Sequence, residues 1–238
     1  MLAGALDAPA DWLASVLEHE ALGPDVVALI LRNRAATVPL VTQIGRNRDW
    51  MRDREVRVAF VGNPLAPTVL SRQVLPHLFW TDLADVACNA RLSPVLRREA
   101  ERILRSRLPE FSTGERIALA RRPSRGVIEM LCEDGEAAVL TALAANPRVT
   151  RSDIARILGR AGVPPAFLSW LASSTSWSGF QDLVHAMVRH PGMPAAAALR
   201  LVAKLSAADL ERVLRDALAP RLVRVAAERR LVSQEGVG

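Results

Sequence analysis

Apolar residues recur at three- and four-residue spacing along most of the chain, for example at Val26, Val27, Ile30 and Leu31. This spacing places the apolar side chains on one face of a helix. No stretch alternates polar and apolar residues over the length of a strand, and the abundant Ala, Leu and Arg are good helix formers. The pattern therefore predicts an all-α protein.

Short polar or proline-bearing turns interrupt the apolar segments at regular intervals, as at Asn63-Pro64 and Asn146-Pro147. A residue before proline is pushed out of the α region, and asparagine tolerates the left-handed conformation that ends many helices. We therefore expect these asparagines to close helices with left-handed caps. About fifteen short helices result, each too short to be stable alone. Such helices must pack on their neighbours, which predicts an α-solenoid.

The two halves of the sequence resemble each other at an offset of 127 positions. The gapless match holds over roughly 80 residues, which indicates an internal duplication. It pairs Trp50 with Trp177, Pro64 with Pro191, Pro67 with Pro194, and Asp82 with Asp209. Trp50 and Trp177 are expected to be packing anchors. We predict one continuous solenoid over 1–238, with repeat block one at 1–104, connector helices at 105–127, repeat block two at 128–231 and a frayed tail at 232–238.

The sequence also indicates the cellular compartment in which the protein is expected. No apolar run approaches the length of a membrane span, and the first residues lack a basic segment before an apolar one. Cys88 and Cys132 lie in apolar helical contexts, which indicates reduced core thiols. We therefore expect a cytoplasmic protein without a membrane partner.

The formal charge is +6, and Lys204 is the only lysine among 31 basic residues. A GC-rich genome explains an excess of arginine and also the excess of alanine. Selection for guanidinium groups that bind phosphate or carboxylate is the alternative explanation for the arginine alone.

A recurring phrase of helix, Asn-Pro, two variable residues, Thr or Pro, and a leucine-rich helix appears at Ala59–Pro67 and Leu143–Thr150. It resembles the leucine-rich-variant and HEAT-like α-solenoids of bacteria. The stretch from Leu108 to Arg122 is similar to segments of uncharacterised bacterial proteins built from such repeats. The resemblance covers most of the chain and implies a solenoid scaffold without naming an activity. Some leucine-rich-variant proteins carry a cysteine cluster for an iron–sulfur centre, and Cys88 and Cys132 do not match it, so no cofactor is expected.

The sequence lacks the common motifs of enzyme sites. It has no phosphate-binding loop, dinucleotide fingerprint, zinc-protease motif or nucleophile elbow. His185 and His190 are five residues apart and fall on different helix faces, so they are not expected to bind a metal. His190 occupies the place of Asn63, which predicts a helix-end capping role. Asp82 and Asp209 are expected to be carboxylates stabilised by a helix N-terminus. No catalytic residue is predicted, and we expect a protein that is not an enzyme.

One helix corner differs between the two halves. His77, Phe79 and Trp80 of the first half correspond to Lys204, Ser206 and Ala207 of the second. Aromatic residues are enriched at the centres of protein interfaces, so this corner is a candidate partner-binding site. The alternative is that the two aromatic rings fill a gap beneath a neighbouring corner.

The region from Arg97 to Arg125 contains nine arginines against four acidic residues, an excess of +5. If one helix ridge carries Arg98, Arg102 and Arg105, their side chains would follow a phosphate backbone, and Arg121 and Arg122 extend the patch. The absence of tyrosine argues against a surface built on base stacking.

The leading functional hypothesis is a scaffold or adaptor that binds another protein through an extended solenoid surface. The alternative is nucleic-acid backbone binding through the arginine-rich region. A variant of that alternative is a DNA-base-excising enzyme on a HEAT-like solenoid, which would need an acidic residue beside aromatic rings in a basic groove.

Overall fold

The computed structural model describes residues 8–17 and 22–235. Within these ranges it contains seventeen α-helices, three short 3-10 helices and no strand. The predicted all-α fold is confirmed, and the succession of short helices is consistent with an α-solenoid. The count exceeds the predicted fifteen partly because the four-residue segment Thr175–Ser178 is helical. The chain divides into two compact units, one ending at Glu110 (unit 1) and one beginning at Phe111 (unit 2). Continuity of the solenoid across 1–238 stays a prediction.

Unit 1 is built from seven α-helices within its described residues: α1 (Ala10–Leu17), α2 (Pro24–Arg32), α3 (Val38–Arg46), α4 (Arg54–Gly62), α5 (Thr68–Val74), α6 (Trp80–Cys88) and α7 (Pro94–Arg107). Short 3-10 helices lie at Trp50–Arg52, Leu75–His77 and Leu108–Glu110. Helices α3, α5 and α7 pack side by side and are called row A; helices α2, α4 and α6 form the second row, row B.

Unit 2 continues with α8 (Thr113–Ala120), α9 (Arg125–Leu131), α10 (Ala137–Ala144), α11 (Arg151–Leu158), α12 (Pro165–Ser173), α13 (Thr175–Ser178), α14 (Gln181–Arg189), α15 (Ala195–Val202), α16 (Ala207–Arg215) and α17 (Arg221–Glu235). Row A of this unit is α8, α10, α12, α15 and α17, and row B is α9, α11, α14 and α16. Helix α17 extends to Glu235, so part of the stretch predicted as a frayed tail is helical. The last three residues lie outside the described ranges.

The helix boundaries repeat with the offset found in the sequence. All seven α-helices of unit 1 have a counterpart in unit 2 that starts 127 residues later, from α1 with α10 at Ala10 and Ala137 to α7 with α17 at Pro94 and Arg221. Helices α8, α9 and α13 have no counterpart in this series. A common origin of the two halves stays a prediction.

Apolar faces of both rows form the core. Helix α4 buries Val56, Ala59, Phe60 and Val61, which follow the three- and four-residue spacing read from the sequence. Cys132 is fully buried, and this burial raises the pKa of its thiol to about 11, so the side chain behaves as an unreactive apolar group. Among the described helices, none combines the length and the apolar character that crossing a bilayer requires.

Polar side chains end the row B helices in a way that differs from the expected left-handed cap. Asn33, Asn63 and Asn89 are the C-cap residues of α2, α4 and α6, and all three have extended backbone conformations. No described residue has a positive φ, so the prediction of left-handed caps is wrong. Instead, each Oδ1 accepts the backbone N–H two residues later, at 2.6, 2.8 and 3.0 Å respectively. This Asx turn gives a hydrogen-bond acceptor to a backbone N–H just beyond the end of the helix.

Two of these asparagines also connect one repeat to the previous one. Asn63 Nδ2 donates to Leu31 O at 2.7 Å, and Asn33 Nδ2 donates to Ala8 O at 3.1 Å. Asn146, after α10 of row A in unit 2, does the same with Ala120 O at 2.8 Å. A buried carbonyl left without a donor is costly, so these bonds fix the register of neighbouring helices.

His190 takes the place of Asn63 in unit 2, and its predicted capping role is confirmed. Its Nδ1 lies 3.0 Å from the backbone N of Gly192, and its Nε2 lies 2.7 Å from Arg160 O. Because the Gly192 N–H can only donate and the Arg160 carbonyl can only accept, the ring is neutral and carries its proton on Nε2. The buried imidazole thus makes the same two kinds of contact as the asparagine.

Buried carboxylates make a second set of contacts between repeats. Asp82 lies in the first turn of α6 and receives two hydrogen bonds from Arg54, at 3.2 and 2.8 Å. Asp209 lies in the first turn of α16, where it contacts the Ser206 hydroxyl at 2.6 Å and His185 at 3.4 Å. The predicted location at helix N-termini is confirmed for both. Each carboxylate also binds the preceding row B helix, a contact that the sequence did not reveal.

Asp153 of α11 is the most strongly held of these carboxylates. Arg125 donates to its two oxygens at 2.7 and 2.5 Å. The hydroxyl of Thr150, the N-cap residue of α11, also donates to the Asp153 carboxylate. The Arg125 hydrogen bonds, opposed by burial and helped by Thr150, lower the pKa of Asp153 to about 2.

The two equivalent tryptophans have different surroundings. Trp177 is buried, and its Nε1 donates to Ala144 O at 3.2 Å, which confirms its role as a packing anchor. Trp50 lies in a 3-10 helix and is only half-buried. The two tryptophans therefore occupy equivalent sequence positions, but Trp50 is not the buried packing anchor that was expected.

Replacing His190 tests whether the capping contacts, rather than the ring itself, stabilise unit 2. We expect His190→Asn to change the free energy of unfolding by less than about 1 kcal/mol, because asparagine makes the same contacts at position 63. His190→Ala leaves Arg160 O and Gly192 N without partners and should cost about 1–3 kcal/mol. Urea unfolding of the two variants measures this difference, and equal losses in both would contradict the assignment.

Acid unfolding tests the Asp153 contact. Its folded pKa lies below its value of 3.8 in an unstructured chain, so it stabilises the fold above pH 4 and loses that contribution as pH falls toward 2. We expect Asp153→Asn to be less stable than the native chain at pH 7, by about 1–3 kcal/mol, and the gap to narrow between pH 4 and pH 2. A gap that stays constant over this range, measured by urea unfolding, would contradict the prediction.

Candidate functional site

A groove lies at the C-terminal ends of the row B helices of unit 1. Its volume is about 550 Å³, within the range of protein sites that accept small molecules or peptide side chains. Leu31, Val58 and Ala59 line it from α2 and α4, and Pro64 and Leu65 line it from the turn after α4. Leu65 is 42% exposed, so the apolar lining reaches the surface. This groove is called the first groove below.

Three exposed arginines also line the first groove: Arg32, Arg34 and Arg91. No aspartate or glutamate lines it. Within the described part of the chain, none of the three is ion-paired with a carboxylate. The groove therefore combines an aliphatic lining with three cationic side chains that lack an internal counter-charge.

The asparagine turns place these arginines. Arg32 is the last residue of α2, and Arg34 follows Asn33, whose Asx turn begins there. Arg91 is the residue whose backbone N–H binds Asn89 Oδ1 at 3.0 Å, after α6. A guanidinium near helix C-terminal carbonyls is also electrostatically favourable. Local sequence rules thus bring residues from two separate turns to one groove.

Unit 2 has a groove at the corresponding place, also of about 550 Å³, called the second groove. Nine lining positions of the two grooves correspond at the 127-residue offset, including Leu31 with Leu158 and Pro64 with Pro191. The three arginine positions differ: their counterparts are Gly159, Ala161 and Leu218. The shape recurs while arginine at these three positions does not.

The arginines that do line the second groove are already bound. Arg160 Nη1 donates to Cys132 O at 2.6 Å and to Asp134 O at 3.0 Å. Arg189 forms an ion pair with Asp216 at 2.6 Å. Arg160 keeps its positive charge because carbonyls supply no counter-charge, whereas the charge of Arg189 is balanced by Asp216. The second groove is therefore less cationic than the first, and it forms without arginines at the three positions occupied in the first groove.

The corner predicted as a partner-binding site exposes part of its aromatic surface. His77 is exposed, Phe79 is 60% exposed and Trp80 is half-buried. The Arg54 guanidinium lies 5.1 Å from the centroid of the Phe79 ring, a cation–π contact, while it also binds Asp82. Phe79 caps the N-terminus of α6, whereas the first groove lies at the C-terminal ends of row B, so the corner and the groove are separate features.

A similar contact recurs in unit 2. Arg151 lies 5.5 Å from the centroid of Phe180, which precedes α14. An arginine over an exposed phenylalanine therefore recurs at a helix start in each unit. The partner-binding role of the His77, Phe79 and Trp80 corner stays a prediction.

The arginine-rich region divides between the two units. Arg98, Arg102 and Arg105 are exposed on α7 of unit 1, at positions that share one helix face. Arg121 is exposed and Arg122 half-buried after α8 of unit 2. The residues of the single patch inferred from the sequence therefore fall into two groups, one in each unit.

One arginine of the α7 ridge is neutralised. Arg102 donates to both oxygens of Glu99, at 3.1 and 2.8 Å, and this lowers the pKa of Glu99. The counterparts of Arg98 and Arg105 on α17 are Val225 and Val232. Arg102 corresponds to another arginine, Arg229, so the ridge differs in charge from α17 only at the positions of Arg98 and Arg105.

Sequence reasoning missed the three arginines of the first groove. Arg32, Arg34 and Arg91 lie far apart along the chain and next to ordinary turns, so no local motif marks them. A signal was present in the duplication, because all three positions hold uncharged residues in the second half. To interpret that difference, one must know which turns lie next to each other in the folded chain.

Comparison with known proteins adds no relative. No protein-family model, curated protein or solved structure matches this chain.

Proposed function

We propose that this protein is a non-enzymatic scaffold of the HEAT-like or leucine-rich-variant kind, which binds another protein through its helical-repeat surface. The first groove is the proposed contact. The observation that carries the proposal is the pair of grooves at corresponding positions, alike in volume but different in lining. Because the shape of the groove recurs while its charged residues differ, the lining can change to suit a particular ligand without loss of the fold.

The chemistry of the first groove supports a protein ligand. Protein interfaces combine apolar contact area with arginine, which binds carboxylates through a planar fork of donors. Val58, Pro64 and Leu65 supply accessible apolar area, and the three arginines supply the donors. The one ionisable ring in the second groove, His190, uses both nitrogens in capping bonds, so it does not serve as a general base there.

Nucleic-acid backbone binding is the second candidate function. It is favoured by one observation: Arg98 and Arg105 are exposed on one face of α7, where the counterpart helix carries valines. Arg102 between them is bound to Glu99, which weakens the ridge as a phosphate-binding surface. A base-excising enzyme would need an acid beside aromatic rings in a basic groove, and the lining of the first groove contains neither.

Affinity capture from a native lysate, with and without nuclease, tests the proposed function. We expect recovery of a protein in stoichiometric amount that survives nuclease treatment, because the proposed contact does not involve nucleic acid. The protein denatured on the same support serves as the control for capture by exposed apolar surface. Recovery of nucleic acid alone, or of nothing above the control, would contradict the scaffold function.

A further inference from the structure

The first groove combines features that define the chemistry of its ligand more closely. We propose that it binds an acidic peptide segment of a partner protein, in which glutamate or aspartate alternates with aliphatic residues. This inference rests on the proposed scaffold function and specifies the kind of partner surface that the groove fits.

The charge of the groove requires an acidic ligand. Arg32, Arg34 and Arg91 line one cavity, no acidic residue lines it, and none of the three is ion-paired within the described residues. Elsewhere, several arginines of the row B helices are matched to carboxylates, as in the pairs Arg54–Asp82 and Arg125–Asp153. The guanidinium fork fits a carboxylate through two parallel hydrogen bonds. The carboxylates missing from the first groove are therefore supplied by its ligand.

The second groove shows that these arginines are not needed to build the fold. A purely structural role, such as stabilising helix C-termini, would apply equally to unit 2 because its helices end at corresponding positions. Yet Gly159, Ala161 and Leu218 stand at those positions, and the groove still forms. The charge of the first groove is thus an addition to the common architecture.

The aliphatic lining favours a peptide over a nucleic acid. The apolar lining consists of Leu31, Val58, Ala59, Pro64 and Leu65, none of which has an aromatic ring on which a base could stack. Surfaces for single-stranded nucleic acid combine cationic residues with aromatic platforms. Aliphatic side chains of a peptide bury apolar area against this lining, while its carboxylates reach the three arginines.

Binding of a short fluorescein-labelled peptide, in which glutamate alternates with leucine, tests the proposal by fluorescence anisotropy. A twin peptide with glutamine for glutamate shows whether carboxylates are required. We expect the full chain to bind the glutamate peptide at least about tenfold more tightly than the twin, because the twin leaves the arginines without counter-charges. Equal binding of the two peptides, or no binding of the first, would overturn the proposal.

The duplication offers a matched pair of variants. Arg34→Ala with Arg91→Leu installs the residues that unit 2 has at the same positions of the second groove. Arg98→Val with Arg105→Val does the same on α7 and also removes two positive charges. We expect the groove variant to weaken peptide binding at least about tenfold and the α7 variant to change it by less than about twofold. Equal losses would overturn the proposal, because they would show attraction by overall charge alone.

Two further measurements keep the outcome decisive. If the groove variant fails to melt cooperatively, Arg34→Gln with Arg91→Gln replaces it and must show the same loss. An oligothymidylate that binds more tightly than the peptide, and loses that binding in the groove variant, would assign the groove to nucleic acid and overturn the proposal. A protein partner that the groove variant still captures from lysate would overturn the acidic-segment ligand while leaving the scaffold function standing.

Discussion

The constraint on which the structure depends is that helices of about two turns cannot hold themselves together. Each must be fixed to its neighbours, and at several turns one side chain does this where the helix stops. Asn33 and Asn63 close an Asx turn with one atom and donate to the preceding repeat with another. His190 achieves the same result with its two ring nitrogens. At these turns a single side chain therefore sets both the end of a helix and its register with the preceding repeat.

The binding surface follows from the same turns. Because the cap residue fixes the backbone, the residues beside it emerge at a defined place. The turns after α2 and α6, the two row B neighbours of α4, bring Arg34 and Arg91 to one groove. In unit 2 the equivalent turns present Ala161 and Leu218 around a groove of similar volume. The cap residue performs a structural task that both units need, whereas its neighbours are free to differ. This separation explains how one architecture supports a strongly cationic groove in one unit and a less cationic one in the other.

Periodicity and the positions of polar or proline-bearing turns were enough to predict an all-α chain and many of its helix ends, because both reflect local chemistry. The left-handed cap was wrong because an Asx turn at Asn63 also satisfies the backbone after a helix, and composition does not separate the two. Ion pairs such as Arg54–Asp82 and the burial of Trp177 but not Trp50 depend on which helices become neighbours. The groove was missed for the same reason, since its arginines meet only after the repeats stack.

Side-chain NMR of the arginine Nε–H groups during titration with the glutamate–leucine peptide tests most directly whether the charged turns of unit 1 form the binding site. It reports each guanidinium separately, so the two grooves and the α7 ridge are compared in one native molecule. The expected result is that the signals of Arg32, Arg34 and Arg91 shift together and saturate, while those of Arg160 and Arg189 in the second groove stay in place. Shifts centred on Arg98 and Arg105, with the groove arginines unchanged, would contradict it.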